Sequence, residues 1–298
     1  MKKTGFIAIV GRPNVGKSTL LNAILGEKVA IVSSKPQTTR NRIIGIHTTG
    51  ENQFVFLDTP GMHSPKNKLG DYMMGAANSS MRDSDAVILV VEAGKPVTNV
   101  EENVISYIKS TDSPSIIAIN KIDLSDPGTV ADTIKTYASL HDFNAFVPMS
   151  AKKGNGVSAI LSECEKFLGE TDAFFFPDDI ATDQPERVLA SEIIREKILR
   201  TLNKEVPHGT AVVIEEFKEE GKLIRIRAEI FCEKTSHKGI IVGKNGESLK
   251  LIGTRARQDL ERILGTKVYL NLWVKVKENW RDSVAAVNNF GYRPGDDQ

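Results

Sequence analysis

The segment Gly11-Arg12-Pro13-Asn14-Val15-Gly16-Lys17-Ser18-Thr19 restricts what this chain can fold into more than any other stretch. It follows the apolar run 6–10 and precedes Leu20, Leu21, Ile24 and Leu25, which recur at helical spacing. The pattern predicts a strand, a glycine-rich turn and a helix. Such a turn curls so that successive backbone N–H groups face one anion, and the helix behind it adds the positive end of its dipole. Lys17 then reaches the β- and γ-phosphates of a nucleotide, and the Ser18 hydroxyl binds Mg²⁺. A purely structural glycine turn would need neither side chain.

Three further elements follow in order, each at the end of an apolar run. Phe54-Val55-Phe56-Leu57 leads into Asp58-Thr59-Pro60-Gly61, which sets a carboxylate beside the metal. Gly61, with no side chain in the way, lets its N–H approach a γ-phosphate. Asn120-Lys121-Ile122-Asp123 follows the run 115–119. Asp123 can accept two hydrogen bonds from guanine N1–H and its 2-amino group. Adenine lacks both donors in that arrangement and would leave the carboxylate unpaired. Lys121 can lie over the base and Asn120 can tie this loop to the phosphate loop. Ser150-Ala151-Lys152 then offers a backbone N–H to guanine O6.

Between these elements strands and helices alternate. Runs at 53–57, 86–91, 115–119 and 145–148 read as buried strands, with helices near 70–82, 100–110, 129–140 and 157–168. This predicts an α/β fold with a mostly parallel sheet covered on both faces. The predicted organisation is a nucleotide-binding domain over 1–170, a linker over 171–185, a smaller α+β domain over 186–290 and a tail over 291–298. The linker carries acids, two prolines and three phenylalanines expected to pack against one domain. Two cysteines, Cys164 and Cys232, fit neither a metal spacing nor a disulfide framework and suggest a reducing cytoplasm. The apolar run after Met1-Lys2-Lys3 is too short for a signal-peptide core, and no stretch reaches the length of a membrane span.

Charge separates the two halves. Residues 185–298 hold 21 Lys+Arg against 17 Asp+Glu, whereas residues 1–184 hold 18 against 21. Within 234–281 the count is 11 against 4, a basic excess that suits a polyanion. An amphipathic helix (Leu189, Ile193, Ile194, Ile198) precedes strands at 211–217 and 223–232, joined by a turn at 219–222. On the second strand Arg225 and Arg227 alternate with apolar residues and predict an exposed basic face. Next come a helix, the turn Gly243-Lys244-Asn245-Gly246, a helix with Leu249, Ile252, Ala256 and Leu260, and a strand over 267–276. A Gly-x-x-Gly by itself says little; here an Ile-Ile-Val run precedes it, its turn is basic, and an amphipathic helix follows. Trp273 and Trp280 are expected in the core.

The first 170 residues resemble the translation-factor-related small GTPases. The α-β-β-α-α-β order after them resembles a prokaryotic-type KH domain. The loop 33–40, with its Gln37-Thr38-Thr39-Arg40, resembles a first switch loop, and together with it the whole chain resembles the Era family of ribosome-assembly GTPases. The resemblance implies that Thr39 joins Ser18 and Asp58 at Mg²⁺, and that Lys17, Thr39, Gly61 and Asn14 act in GTP hydrolysis to GDP and phosphate. Ras-like proteins place a glutamine after the switch glycine to orient water; this chain has Met62. Asn14 resembles the asparagine that helps hold K⁺ in related GTPases, so hydrolysis is expected to be slow alone and raised by K⁺, a partner or both. In the second domain the turn 243–246 would approach the phosphates of about four nucleotides beside an apolar groove, helped by Lys238, Lys250, Arg255 and Arg257. The implied partner is small-subunit ribosomal RNA near its 3′ end, within the small ribosomal subunit. The implied location is the cytoplasm with peripheral membrane association, and the free protein is expected to be a monomer. The alternatives are a GTPase acting on transfer RNA or in translation, an RNA-binding module with a vestigial nucleotide site, and a small-molecule P-loop kinase. Asn120–Asp123 and the absence of an acceptor-binding lid speak against the kinase.

Overall fold

In the computed structural model, which describes residues 1–293, contacts divide the chain into two compact units. The first comprises Met1–Ser64 and Met73–Asp183; the second comprises Pro65–Tyr72 and the chain from Gln184 onward. Residues 65–72 therefore group apart from the sequence that flanks them. Of the expected tail 291–298, residues 294–298 lie outside the described residues.

The first unit runs β1 (Lys2–Val10), α1 (Lys17–Leu25), β2 (Ile43–Thr49), β3 (Asn52–Asp58), α2 (Lys68–Arg82, its first turn grouped with the second unit), β4 (Ala86–Glu92), α3 (Asn99–Thr111), β5 (Ser115–Asn120), α4 (Pro127–Ala138), β6 (Ala145–Pro148), α5 (Val157–Glu165) and β7 (Gly169–Thr171). Its sheet has the order β2-β3-β1-β4-β5-β6, with β7 antiparallel beside the start of β1. Strands β3, β1, β4, β5 and β6 are parallel, whereas β2 pairs antiparallel with β3. The fully buried β4 sequence AVILVV reads as an unbroken apolar run because both faces are covered. One core, with Leu20, Leu21, Phe54 and Ile160, fills one side of the sheet; another, with Met81, Leu89, Ile108 and Tyr137, fills the other. Strand order turns at β1, whose neighbours are β3 and β4, and that reversal opens a crevice beyond the carboxyl ends of the strands.

Strand β2 was not among the runs that the apolar pattern marked, because it is an edge strand with a polar half. Its outer edge is covered by the linker: Ile46 N–H donates to the Ala181 carbonyl (2.8 Å) and the Thr182 hydroxyl to the Ile44 carbonyl (2.7 Å). Covering an edge in this way blocks pairing with another chain. Upstream, Phe175 stacks on Phe6 (5.5 Å), Lys2 sits 4.2 Å over the Phe174 ring, and the Gln53 amide bonds both backbone groups of Phe176. All three phenylalanines thus tie the linker to the first unit.

The second unit adds α6 (Glu186–Thr201), β8 (Ala211–Glu220), β9 (Leu223–Cys232), α7 (Thr235–Val242), α8 (Glu247–Leu264), β10 (Lys267–Val276) and α9 (Val284–Asn289). Its sheet has the order β10-β9-β8, β8 antiparallel and β10 parallel to β9. The hairpin turn is confined to Gly221-Lys222, since both strands extend further than their apolar pattern. Ile193, Ile226, Ile230, Ile252 and Leu260 belong to one core between the helices and the sheet. Helix α6 buries Arg195, Glu196 and Lys197 as well, and Lys197 is held by Glu196 (2.8 Å) and Asp259. The two tryptophans part company. Trp280 is fully buried and donates to the Gly209 carbonyl (2.9 Å), but Trp273 is 59% exposed. On β10 the residues facing the helices are 268, 270, 272, 274 and 276, so the period of two turns Trp273 outward.

Candidate functional site

Three loops at the carboxyl ends of β1, β5 and β6 are joined by one side chain. Asn120, buried at the end of β5, donates through Nδ2 to the Val15 carbonyl (2.7 Å) and accepts through Oδ1 from Ala151 N–H (3.0 Å). Gly16 must be glycine: its φ is 108°, and a Cβ there would collide with the Asn120 amide. Beside this joint lies a cavity of about 560 Å³, lined from the phosphate loop by Pro13, Asn14, Gly16, Lys17, Ser18 and Thr19. Its other end is lined by Asn120, Lys121, Asp123, Ser150 and Lys152, and Gly61, Thr38 and Thr39 contribute to the wall between.

The phosphate end carries buried charge. Lys17 Nζ donates to the carbonyls of Gly11 (3.0 Å) and Arg12 (2.9 Å). Burial pulls its pKa down to about 8 against the opposing attraction of Asp58. Burial likewise pushes the Asp58 carboxyl up to about 6, opposed by Lys17, the Ser18 hydroxyl and the Thr59 backbone N–H. Burial thus pushes each group toward its neutral form, and the charge of the other pulls it back. Ser18 Oγ lies 2.6 Å from Asp58 Oδ2 and 2.8 Å from Thr39 Oγ1, and Asp58 Oδ1 is buried with no hydrogen-bond partner. Three hard oxygen donors on one point, one of them with an unused lone pair, fit Mg²⁺. Thr38 instead donates to the Lys35 carbonyl (2.6 Å), which separates its role from that of Thr39.

At the base end, the Ser150 hydroxyl donates to Asp123 (2.7 Å) and is the main cause that holds this carboxyl below its usual range, with Lys153 and Lys152 adding to it. That bond aims the carboxylate and keeps it ionised. Lys121, in a left-handed backbone conformation, pairs with Glu92 at the end of β4 (2.6 Å).

Several residues expected at the nucleotide serve its frame. The Met62 side chain is buried in the core with Ala8, Val10 and Ala77, outside the cavity, and only its N–H turns to the loop, donating to the Gly11 carbonyl (3.2 Å). Thr59 is buried and donates to the Ile9 carbonyl (2.8 Å). Arg12 turns away to Glu101 (2.5 Å), Val15 and Ala151 are core residues, and Gly11 and Pro60 do not line the cavity. Asn14 Nδ2 donates to the Ser34 carbonyl (2.8 Å), linking the phosphate loop to the first switch loop. His63 meets Gln37 (3.1 Å), and its other ring nitrogen faces the Gly61 carbonyl (2.9 Å).

In the second unit, Gly243 (φ 75°, ψ 176°), Asn245 (φ 50°) and Gly246 (φ 79°) make the break between α7 and α8. Lys244 and Asn245 stand exposed at its tip, with Lys238 and Lys250 exposed on the flanking helices. Helical spacing sets Arg255 and Arg257 roughly 200° apart around α8. Gly253 packs against Leu272 of β10, so its flank, shared with Lys250 and Arg257, borders β10; Arg255 lies on the opposite flank. Arg257 is also paired with Glu261 (3.0 Å). Of the expected basic face on β9, Arg225 pairs with Glu220 (3.2 Å) and lies over the Tyr269 ring (5.0 Å), whereas Arg227 is exposed.

Comparison with known proteins matches residues 6–121 to a family described as 50S ribosome-binding GTPases, and residues 205–281 to the KH domain. The chain is 50% identical over 295 residues to GTPase Era of Clostridioides difficile, covering 98% of this chain and 99% of that protein. This chain belongs to the Era family of GTPases. GTPase Era of Ruminiclostridium cellulolyticum is 48% identical over 292 residues, with 98% of each covered. The crystal structure of an Aquifex aeolicus Era variant bound to GDP and AlF₄⁻ superposes with a TM-score of 0.94 at 42% identity, covering 98% of this chain and all of that one. An Era structure with MgGDPNP and nucleotides 1506–1542 of 16S ribosomal RNA gives 0.93 at 41% identity, covering 99% and all.

Some site residues of this Era-family chain escaped the sequence. Ile31, Val32 and Leu124 line the cavity beside Ser33, Ser34 and Gln37 of the first switch loop, but an apolar residue outside an α-helix or strand carries no pattern of its own. Ile240 (50% exposed) and Leu251 (42% exposed) present apolar surface on α7 and α8. Their exposure breaks the helical pattern that the buried residues obey, and that was the available signal.

Proposed function

We propose that this chain binds GTP with Mg²⁺, hydrolyses it to GDP and phosphate, and binds small-subunit ribosomal RNA near its 3′ end, assisting RNA processing and small-subunit assembly. The observation that carries the hydrolytic part is the convergence on one cavity of Lys17, the Ser18–Asp58–Thr39 oxygens and the Ser150-held Asp123. The loop N–H groups and Lys17 bind the phosphates, whose negative charge adds to that of Asp58 in offsetting the burial of the lysine. Ser18, Thr39 and Asp58 would hold Mg²⁺, which offsets charge on the phosphate oxygens. Asp123 selects guanine. With Met62 withdrawn into the core, the γ-phosphate is left to Lys17, Thr39, the Gly61 N–H and Asn14, and rapid turnover needs help from outside these residues. K⁺ held at Asn14 is one such source. Equal turnover in Na⁺ and K⁺, for both the native chain and Asn14→Ala, would exclude it.

The RNA part is supported by the likeness to an Era chain solved with 16S ribosomal RNA and by the turn 243–246. There Lys244 and the backbone can approach phosphates while Ile240 and Leu251 offer apolar surface for unstacked bases. Crosslinking in cells with sequencing of bound RNA tests it, using Gly243→Asp with Lys244→Asp as control. Signal at the 3′ end of small-subunit ribosomal RNA, lost in the control, supports the reading; signal on transfer RNA overturns the ribosomal assignment and leaves the GTPase. We read the free protein as a cytoplasmic monomer. Among the described residues no helix is long and apolar enough to cross a membrane, and we read the chain's membrane association as peripheral.

A further inference from the structure

We infer that Glu101, on α3, is a positioning residue for the phosphate-binding loop and acts through Arg12. Its side chain is fully buried, which is rare for a carboxylate and requires a partner. One oxygen, Oε2, accepts from the Thr98 N–H (3.0 Å) and hydroxyl, closing a capping box at the start of α3. A cap does not need burial: Asp126 caps α4 through Thr129 at the exposed surface. The other oxygen, Oε1, faces Arg12 Nε at 2.5 Å, in an ion pair without the alignment of a directed hydrogen bond. Tyr137 of α4 closes the same pocket. It is buried with its hydroxyl unpartnered, and burial and the nearby Glu101 charge both oppose its ionisation.

Arg12 is placed to transmit this hold. Its own carbonyl and that of Gly11 receive the Lys17 ammonium. The same stretch is held from a second side, because Met62 N–H donates to the Gly11 carbonyl and Gly61 packs so closely on Pro13 that a Cβ would lie 2.8 Å from Pro13 Cα. Residues 11–13 are therefore gripped between α3 and the loop after β3. Glu101 does not line the cavity, so any effect on nucleotide runs through the loop.

Both GDP and GTP use this loop, and its loosening weakens the two equally. An interaction made alike in ground and transition state changes KM and leaves kcat. The inference rests on the nucleotide-site reading. Its test uses the full chain and measures GDP and GTP dissociation constants, steady-state KM and kcat, and the melting temperature without nucleotide. Glu101→Gln keeps an oxygen for the Thr98 cap and removes the charge facing Arg12. It is expected to raise both dissociation constants and KM roughly tenfold, the loss of one charge-assisted contact, with kcat within about twofold. Arg12→Ala should do the same, the double variant should be no worse than Arg12→Ala alone, and Arg12→Lys should restore part of the loss. Additive effects, or unchanged affinity in Arg12→Ala, would overturn the inference, and Arg12→Ala decides it if Glu101→Gln fails to fold. A native chain that binds no guanine nucleotide would overturn the site reading instead.

Discussion

Replacing Asn120 with alanine tests whether three loops form one site because a single buried amide joins them. The side chain makes two hydrogen bonds, to the Val15 carbonyl and from the Ala151 N–H, and both partners are buried. Each bond contributes about 1 kcal/mol net, and each partner left unsatisfied in a dry site raises the cost to about 1–3 kcal/mol. Some relaxation is expected, so the total should be about 2–3 kcal/mol. The nucleotide needs the loops from β1, β5 and β6 aligned together, so most of that cost should appear in binding, as a GDP dissociation constant raised roughly 30- to 150-fold. Calorimetric titration of GDP measures it, and urea unfolding without nucleotide measures the part that falls on the fold. Asn120→Asp is the control at constant volume. It keeps an acceptor for Ala151 but sets oxygen against the Val15 carbonyl, and should bind no better than alanine. GDP affinity unchanged in Asn120→Ala, or native affinity in Asn120→Asp, would show that the loops are held by other contacts and refute the reasoning.

Asp123→Asn replaces an acceptor pair by an amide that donates where guanine also donates. Guanine nucleotides should bind at least roughly 100-fold more weakly while xanthine nucleotides gain affinity, as competition titrations would read; unaltered preference would mean that Asp123 does not face the base. Glu92→Gln releases Lys121 from its 2.6 Å partner. GTP affinity should fall by a few-fold through the base end, equally for GDP, and a change in kcat alone would count against it. Trp280→Ala removes a fully buried ring and its bond to Gly209, at a cost of about 3–5 kcal/mol to the second unit. Hydrogen exchange should show lost protection in β8, β9 and α6, while GTP binding by the first unit persists; uniform loss of protection in both units would contradict it.

How much was legible beforehand depended on how local the physics is. The phosphate loop, Asp58, Asn120 to Asp123 and Ser150 to Lys152 could be read because each function needs particular atoms at fixed spacing at the end of an apolar strand. Alternation of strand and helix was enough for the parallel α/β architecture, and the α-β-β-α-α-β order around the turn 243–246 was enough for the second fold. Other features depend on residues distant in the chain. The place of Met62 in the core follows from how residues after β3 pack on β1 and α2, and the exposure of Trp273 from the register of β10. The burial of Glu101 against Arg12 spans 89 positions and has no spacing to betray it. Arg255 and Arg257 looked alike as charges but fall on opposite flanks of α8. Sequence by itself determined the chemistry of the site and the classes of both folds, because backbone pattern and reactive groups are written locally. Only tertiary structure decided which of those residues touch the cavity and which brace it, because burial and pairing are settled by what the rest of the chain brings alongside.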